Sequence, residues 1–475
     1  MDMQNSKFLL GLALLIYLFF SLILLTKDPT VFPDEVEFAN AAYKLVHPQL
    51  FSTKPFNNHL PQVDNLDFTL HGPVYFWILA GVYKIFGFSI TTTRLTSVAL
   101  GCLTLLVIYY LASKLFKDKT SGLIIIALLA IDYNFLRGSR FGRPEMATML
   151  ISYLTLSYYL KLSLFSKIKD YLIIGLLITL GIFNHLYLGL IVPITISLYS
   201  LFHKPQRKII FNYKILATIL TIAVSGFIWL LYIGLFSSQI GKSSELIATR
   251  LHPTFYSLNS ILRGDMYIKA LFIIYLTSIV MFLLTWIGTK TQKLLLILFI
   301  ATYSIVFYGS IGWYLTLIPI PALLAFLSVK QYFPKAVLLL IGALVIVNLI
   351  EQSRLIQYYN QYSYFDYSKN ISEKIPNNSK VILNKIMPDP YFYLAKERPD
   401  LKLLYNNYYE YNIDQLQFGL DKADYIVTYA TDYQLLVSEA TTSSLVIKYL
   451  REASYSAEII KGNNYYTDMV IIQLN

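Results

Sequence analysis

A single cysteine, Cys102, in a chain of 475 residues excludes any intrachain disulfide and leaves the redox compartment unmarked. Charge is scarce: Asp, Glu, Lys and Arg make up 14% of residues, against 56% hydrophobic, and mean hydropathy is +0.53. That balance excludes an ordinary water-soluble globular protein. There is no glycine-rich phosphate loop, no internal repeat and no low-complexity tract. The formal charge of +11 does not read as a nucleic-acid footprint either. Its Lys and Arg sit in short loops between apolar runs, as membrane topology signals do. Nucleic acid is set aside as a partner.

What is abundant is apolar sequence in runs of bilayer length. The first runs from about Phe8 to Thr26. Lys27, Asp28 and Pro29 follow it where a signal peptide would show small residues at a cleavage site, so an uncleaved span is expected. Residues 27–92 form a polar and aromatic segment with two expected interfacial helices, near Glu35–Val46 and Val74–Phe86, the second amphipathic. Further spans are expected at about Leu95–Leu115, Leu123–Phe135, Met146–Leu164, Tyr171–Phe183, Leu186–Phe202 and Ile215–Phe236. Ala270–Ile287, Leu294–Tyr308, Trp313–Leu327 and Ala336–Ile350 bring the expected total to about eleven. Within Tyr171–Phe202, Asn184-His185 favours two short helices over one long tilted one.

From Glu351 onward the composition becomes that of a soluble domain. Short apolar runs (Val381–Leu383, Leu401–Leu404, Tyr425–Val427, Met469–Ile472) alternate with polar helical stretches, the pattern of a small α/β domain. The expected division is therefore a membrane domain over residues 1–351, including the outer loop 27–92, and an extracytoplasmic α/β domain over 352–475.

Alternate loops carry Lys7, Lys114, Lys117, Lys119, Lys161, Lys167 and Lys169, then Lys204, Arg207, Lys208, Lys214, Lys290, Lys293, Lys330 and Lys335. The intervening junctions at Asn184-His185 and Ser310–Gly312 carry no Lys or Arg, and the other intervening loops mix Arg and Lys with Asp, Glu and His. This asymmetry expects a cytoplasmic N-terminus in a multi-pass cell-membrane protein, with the C-terminal domain outside. On that topology Asp34, Glu35, Glu37, His71, Arg137, Arg140, Arg143, Glu145, Asn184 and His185 all reach the outer face at about headgroup depth. Ionisable residues there are costly unless they face a cavity or one another, so a shared site is expected. The chemistry that fits is transfer from an anionic lipid. A carboxylate takes the proton of an attacking hydroxyl, and arginines or a protonated histidine hold the departing phosphate.

The ordered motifs carry a family resemblance. Asp34-Glu35 comes after the first span, followed by His71-Gly72-Pro73-Val74-Tyr75-Phe76-Trp77 and then Phe86-Gly87-Phe88-Ser89 with Arg94-Leu95 and Ser97. Arg143-Pro144-Glu145-Met146 opens the fourth span, and Trp313-Tyr314-Leu315 with Pro319 and Pro321-Ala322-Leu323-Leu324 marks a late one. Over roughly residues 1–335 this set resembles the protein O-mannosyltransferase and aminoarabinose (lipid A) transferase superfamily, polytopic glycosyltransferases of the GT-C type. The resemblance implies a polyprenyl-phosphate-linked monosaccharide donor, inversion at the anomeric carbon and an acceptor that is a lipid, glycan or protein. It implies Asp34 as base, Glu145 as a second site carboxylate and His71 beside the donor phosphate. Some relatives place a metal-binding Glu just before that position, where this chain has Leu70. No metal ligand set and no required cofactor are therefore expected.

Each assignment has a plainer reading. Asp34 and Glu35 suit the first turn of a helix, where acids favour the dipole, and Glu35 is expected as structural support. Arg137, Arg140 and Arg143 would serve as snorkelling interfacial residues, although three arginines outside break the positive-inside trend. Glu145 suits a first turn after Pro144, His71 a loop, and His185 a cap or a packing position. A transporter or flippase, or a non-catalytic subunit of an export system, is the rival class. It would call for repeated halves and mid-span carboxylates.

Overall fold

The computed structural model describes residues 3–29, 31, 33–47, 73–235, 275–276, 289–308, 317–330, 332–359, 364–384, 390–406, 422–429, 455–460 and 469–474. Leu70, His71, Trp313 and most of the span expected at 270–287 lie outside the described residues.

In chain order the early helices are α1 (Met3–Ile23), α2 (Pro33–Val46), α3 (Pro73–Phe86), α4 (Ile90–Phe116), α5 (Lys119–Leu129) and α6 (Tyr133–Arg140). Next come α7 (Glu145–Tyr159), α8 (Ile168–Asn184), α9 (Leu186–Gly189), α10 (Ile191–Phe202), α11 (Lys204–Ile210) and α12 (Ile215–Leu235). Later ones are α13 (Lys290–Tyr308), α14 (Pro319–Ser328), α15 (Pro334–Tyr359), α16 (Tyr364–Glu373) and α17 (Tyr391–Glu397). Among the described residues, Asn5–Ile23, Ile90–Phe116 and Pro334–Tyr359 are long and apolar enough to cross a membrane. The pair α5–α6, bent by 66°, makes a fourth if taken as one span. Shorter apolar helices are Pro73–Phe86, Leu186–Phe202, Ile215–Ile228, Thr291–Thr302 and Pro319–Ser328.

The chain clusters into two units. One holds Met1–Leu25, Phe68–Tyr75 and Ser97–Gln357; the other holds Thr26–Asp67, Phe76–Thr96 and Tyr358–Asn475. This grouping differs from the division at residue 351 read from composition, because much of the 27–92 segment clusters with the C-terminal residues.

The first unit is built polar side in. On α1, Tyr17 and Ser21 are buried while Phe8, Leu15 and Phe19 are exposed, the arrangement that suits a lipid surround. Tyr17 donates to the Val98 carbonyl at 2.9 Å. Small residues let helices approach closely: a Cβ added at Gly175 on α8 would lie 2.8 Å from Thr221 Cβ and 2.9 Å from Thr218 O on α12. The expected single span Leu123–Phe135 is corrected by the break between α5 and α6. Asp132 ends the run because its carboxylate accepts the Phe135 N–H (2.8 Å) and so starts a new helix. Asn348 of α15 accepts the Tyr133 N–H at 2.9 Å and steadies the same corner. Asn184-His185 interrupts the Tyr171–Phe202 run, with α8 ending at Asn184. Tyr75, on the second expected interfacial helix, is buried, its hydroxyl 3.3 Å from Ser97 Oγ.

In the second unit, α2 buries much of its length. Glu35, Val36, Phe38, Ala39, Asn40, Ala41 and Ala42 are all buried, while Asp34 and Tyr43 are half-buried and Leu45 is exposed. Phe38 packs on Phe76 of α3 with ring centroids 5.8 Å apart. Further along α3, Ile85 and Phe86 are exposed, and Tyr83 on the other side is buried. The C-terminal residues form a five-stranded sheet of β1 (Lys380–Asn384), β2 (Lys402–Asn406), β3 (Tyr425–Tyr429), β4 (Tyr455–Ile460) and β5 (Met469–Leu474), ordered β2-β1-β3-β5-β4. β1 runs parallel to β2 and β3, and β5 antiparallel to β3 and β4. Helix α17 makes the crossover between parallel neighbours β1 and β2.

Candidate active site

The candidate residues divide between the units: Asp34 and Glu35 belong to one, and Arg137, Arg140, Arg143, Glu145 and His185 to the other.

Asp34 and Glu35 occupy the first turn of α2, as expected for acids at a helix start. Adjacent residues on a helix point about 100° apart, and the two meet different fates. Glu35 receives both edges of the Arg94 guanidinium, Nε to Oε1 at 2.9 Å and Nη2 to Oε2 at 2.6 Å. Both side chains are 0% exposed. Asp34 keeps partial access to solvent, whereas Glu35, Val36 and residues 38–42 are buried.

The local sequence explains how Arg94 arrives. Gly87, at φ +77°, turns the chain between α3 and α4, a conformation that favours glycine. Ser89 then caps α4, its Oγ accepting the Thr92 N–H at 3.0 Å. Thr93 donates to the Ser89 carbonyl (2.8 Å) and lies 2.5 Å from the Tyr83 hydroxyl, which fixes the first turn against α3. Arg94 belongs to that turn. Its motif was recognised in the sequence, but its role as the partner of Glu35 was not.

In the other unit, α6 carries Arg137, half-buried, and Arg140, fully buried, with Arg140 Nη1 donating to the Phe20 carbonyl at 3.3 Å. Burial excludes the snorkelling reading for Arg140 and Arg143. Arg143 Nε donates to Glu145 Oε1 at 2.8 Å, and the guanidinium carbon sits 5.5 Å from the centre of the Phe141 ring. Both members of the pair are about 6% exposed. A carboxylate on one edge and a ring below hold the guanidinium in a fixed plane.

Asn184, at the end of α8, braces this element. Its Nδ2 donates to the Pro144 carbonyl at 2.7 Å and to Thr148 Oγ1 at 2.6 Å, tying the start of α7 in place. His185 is buried, and its Nδ1 accepts the Leu188 N–H at 3.4 Å, a capping role. Among the described residues, no group of three or more His, Cys, Asp or Glu side chains is arranged to hold a metal ion.

Residues 70–233 match the dolichyl-phosphate-mannose-protein mannosyltransferase family. An uncharacterized protein of Aquifex aeolicus is 25% identical over 229 residues, which cover 48% of this chain and 44% of that protein. The match thus spans less than half the length of that relative. The chain is similar to the crystal structure of ArnT from Cupriavidus metallidurans bound to undecaprenyl phosphate, with TM-score 0.61, 11% identity, and 99% and 98% of the two chains covered. It is similar also to the oligosaccharyltransferase AglB from Archaeoglobus fulgidus in complex with an inhibitory peptide and a dolichol-phosphate. There the TM-score is 0.56 at 14% identity, covering 91% of this chain and 71% of that one. The architecture is the helical GT-C membrane fold.

Proposed function

Starting from a chain with the GT-C fold, we propose an inverting glycosyltransferase. It moves one monosaccharide from a polyprenyl-phosphate carrier to an acceptor hydroxyl at the outer face of the cell membrane. The reading includes about eleven spans, a cytoplasmic N-terminus and an extracytoplasmic C-terminal sheet, following the loop charges. The undecaprenyl phosphate of the ArnT neighbour and the dolichol-phosphate of the AglB neighbour support a lipid-phosphate donor. Lipid, glycan and protein acceptors all fit.

The observation that carries the reading is the asymmetry of the two acids on α2. Glu35 is sealed against Arg94, whereas Asp34 remains partly open. An acid at an opening can take a proton from a bound hydroxyl; a sealed one cannot. Asp34 accepts the acceptor's O–H proton as that oxygen attacks the anomeric carbon from the side opposite the phosphate. The bond between the anomeric carbon and the phosphate oxygen breaks, and its electron pair leaves on the polyprenyl phosphate.

Arg143, together with His71, takes up the charge of that phosphate. Glu145 acts as the second carboxylate by orienting Arg143 through their 2.8 Å contact. Arg137 and Arg140 add positive field, and His185 a further donor. No metal enters this scheme.

The test is turnover of polyprenyl-phosphate monosaccharides by the purified protein beside its Asp34→Asn variant. The expected loss is about 10²–10⁴-fold, the usual worth of a general base. Equal rates would end the assignment of Asp34. Activity should persist in chelator; loss that returns on adding a divalent metal would overturn the metal-free scheme.

A further inference from the structure

We propose that Tyr391, in the C-terminal part of the chain, is a positioning residue for Asp34. The inference rests on the glycosyl-transfer reading above, and it gives the C-terminal sheet a part in the reaction. Tyr391 opens α17, is fully buried, and donates its hydroxyl to Asn40 Oδ1 at 2.6 Å. Asn40 is buried on α2, the helix that begins with Asp34, about 9 Å further along its axis.

The other buried positions of α2 are apolar (Val36, Phe38, Ala39, Ala41 and Ala42) apart from Glu35, which is paired with Arg94. Apolar packing resists separation but tolerates small sliding and rotation; a directional hydrogen bond does not. The Asn40–Tyr391 bond therefore adds a directional hold further along α2 to the one that Glu35 and Arg94 make at its start. An aromatic hold lies beside it. Phe392 stacks on Phe88 (centroids 5.4 Å, planes 27° apart), and Phe88 packs on Tyr43 of α2 at 4.9 Å.

Helix α17 is itself braced from behind. Arg398, at its C-terminal end, donates to the carbonyls of Ser372 (2.7 Å) and Ile375 (3.1 Å), at the end of α16 and just beyond it, and pairs with Asp400. Loosening Tyr391 thus removes one of the two directional holds on the helix that carries the proposed base and leaves the Glu35–Arg94 pair as the other.

Tyr391→Phe keeps the ring and removes the bond. The expected result is a fall in kcat of about tenfold with the donor KM within about twofold, since small misplacement of a reacting group costs rate more than affinity. Tyr391→Phe combined with Asn40→Leu removes both polar partners, which relieves the stranded amide and should bring Tm back toward wild type. The double variant should nevertheless stay slow. Wild-type kcat in Tyr391→Phe, or a double variant that regains rate together with Tm, would overturn the proposal. Asp34→Asn as fast as wild type would instead overturn the reading beneath it. Amide exchange tests the anchoring with no donor present. Tyr391→Phe should speed exchange over residues 33–46 and leave 97–116 unchanged; no change over 33–46 would refute it.

Discussion

Arg94 meets Glu35 edge to edge through two N–H···O contacts of 2.9 and 2.6 Å, with neither side chain exposed. Fifty-nine residues of chain separate them, so the pair fastens α2 to the first turn of α4. Breaking one half strands the other charge in a dry site. Glu35→Ala or Arg94→Ala should each destabilise the protein by about 3–5 kcal/mol. Replacing both with apolar residues of similar volume should cost much less, because no lone charge remains. Arg94→Lys should behave more like the alanine variant than like wild type, since an ammonium cannot supply both edges. Thermal denaturation of the four variants in one detergent separates these outcomes.

Asn184 offers a second, independent test. Its one amide nitrogen serves two acceptors, the Pro144 carbonyl and Thr148 Oγ1, where α7 begins with Arg143 and Glu145 close by. Asn184→Ala should cost about 1–3 kcal/mol, the range for leaving a buried polar group without its partner. Asn184→Asp should be no better, because a carboxylate has no N–H for either acceptor. If both variants keep the wild-type Tm, the brace contributes nothing.

The apolar runs were legible because a bilayer imposes length and composition on every span. Single polar residues inside those runs were harder to weigh. Asp132 lies within Leu123–Phe135, and averaged hydropathy hides the fact that one carboxylate capping Phe135 N–H can start a new helix. Acids next to Pro33 were readable as a helix start, and Glu35 as a structural partner. The identity of that partner was not readable, because Arg94 is near only once α3 and α4 have turned at Gly87. Strand β4 went unrecognised for a different reason. Tyr455–Ile460 lies at the sheet edge with its middle residues exposed, so it carries no strong apolar run. Asn40 and Tyr391 gave no signal at all, since each is ordinary in its own segment and matters through the other.

Two glycines on helices should respond oppositely to a methyl group. At Gly175 the added Cβ would lie 2.8 Å from Thr221 Cβ and 2.9 Å from a backbone carbonyl of α12, so a helix must move. Gly175→Ala should destabilise by about 1–3 kcal/mol through overpacking. At Gly81 on α3 no described atom beyond the neighbouring residues and the local helix backbone lies within 4 Å of the added Cβ. There Gly81→Ala should be neutral or stabilising by up to about 1 kcal/mol, the helix-propensity difference. A melting series of the two variants decides the matter; equal shifts in the same direction would contradict the close approach of α8 and α12.

Asp400 supplies a prediction in pH. Its carboxyl is held down to about 2, first by the Arg398 guanidinium that donates to it and next by the Asn378 N–H, with desolvation opposing. A carboxyl in an unfolded chain titrates near 3.9, roughly two units higher. With the folded value below the unfolded one, the unfolded state binds the proton more readily as pH falls. The contribution of this carboxylate is therefore fully present above about pH 4 and is lost as pH drops through about 2. Asp400→Asn should be less stable than wild type at pH 6, and the gap should close on acidification toward pH 2. Melting of both proteins across that range, with amide exchange over β1 and β2 as the local readout, tests this. A gap that stays constant with pH would show that Arg398 and Asp400 are not coupled in the folded chain.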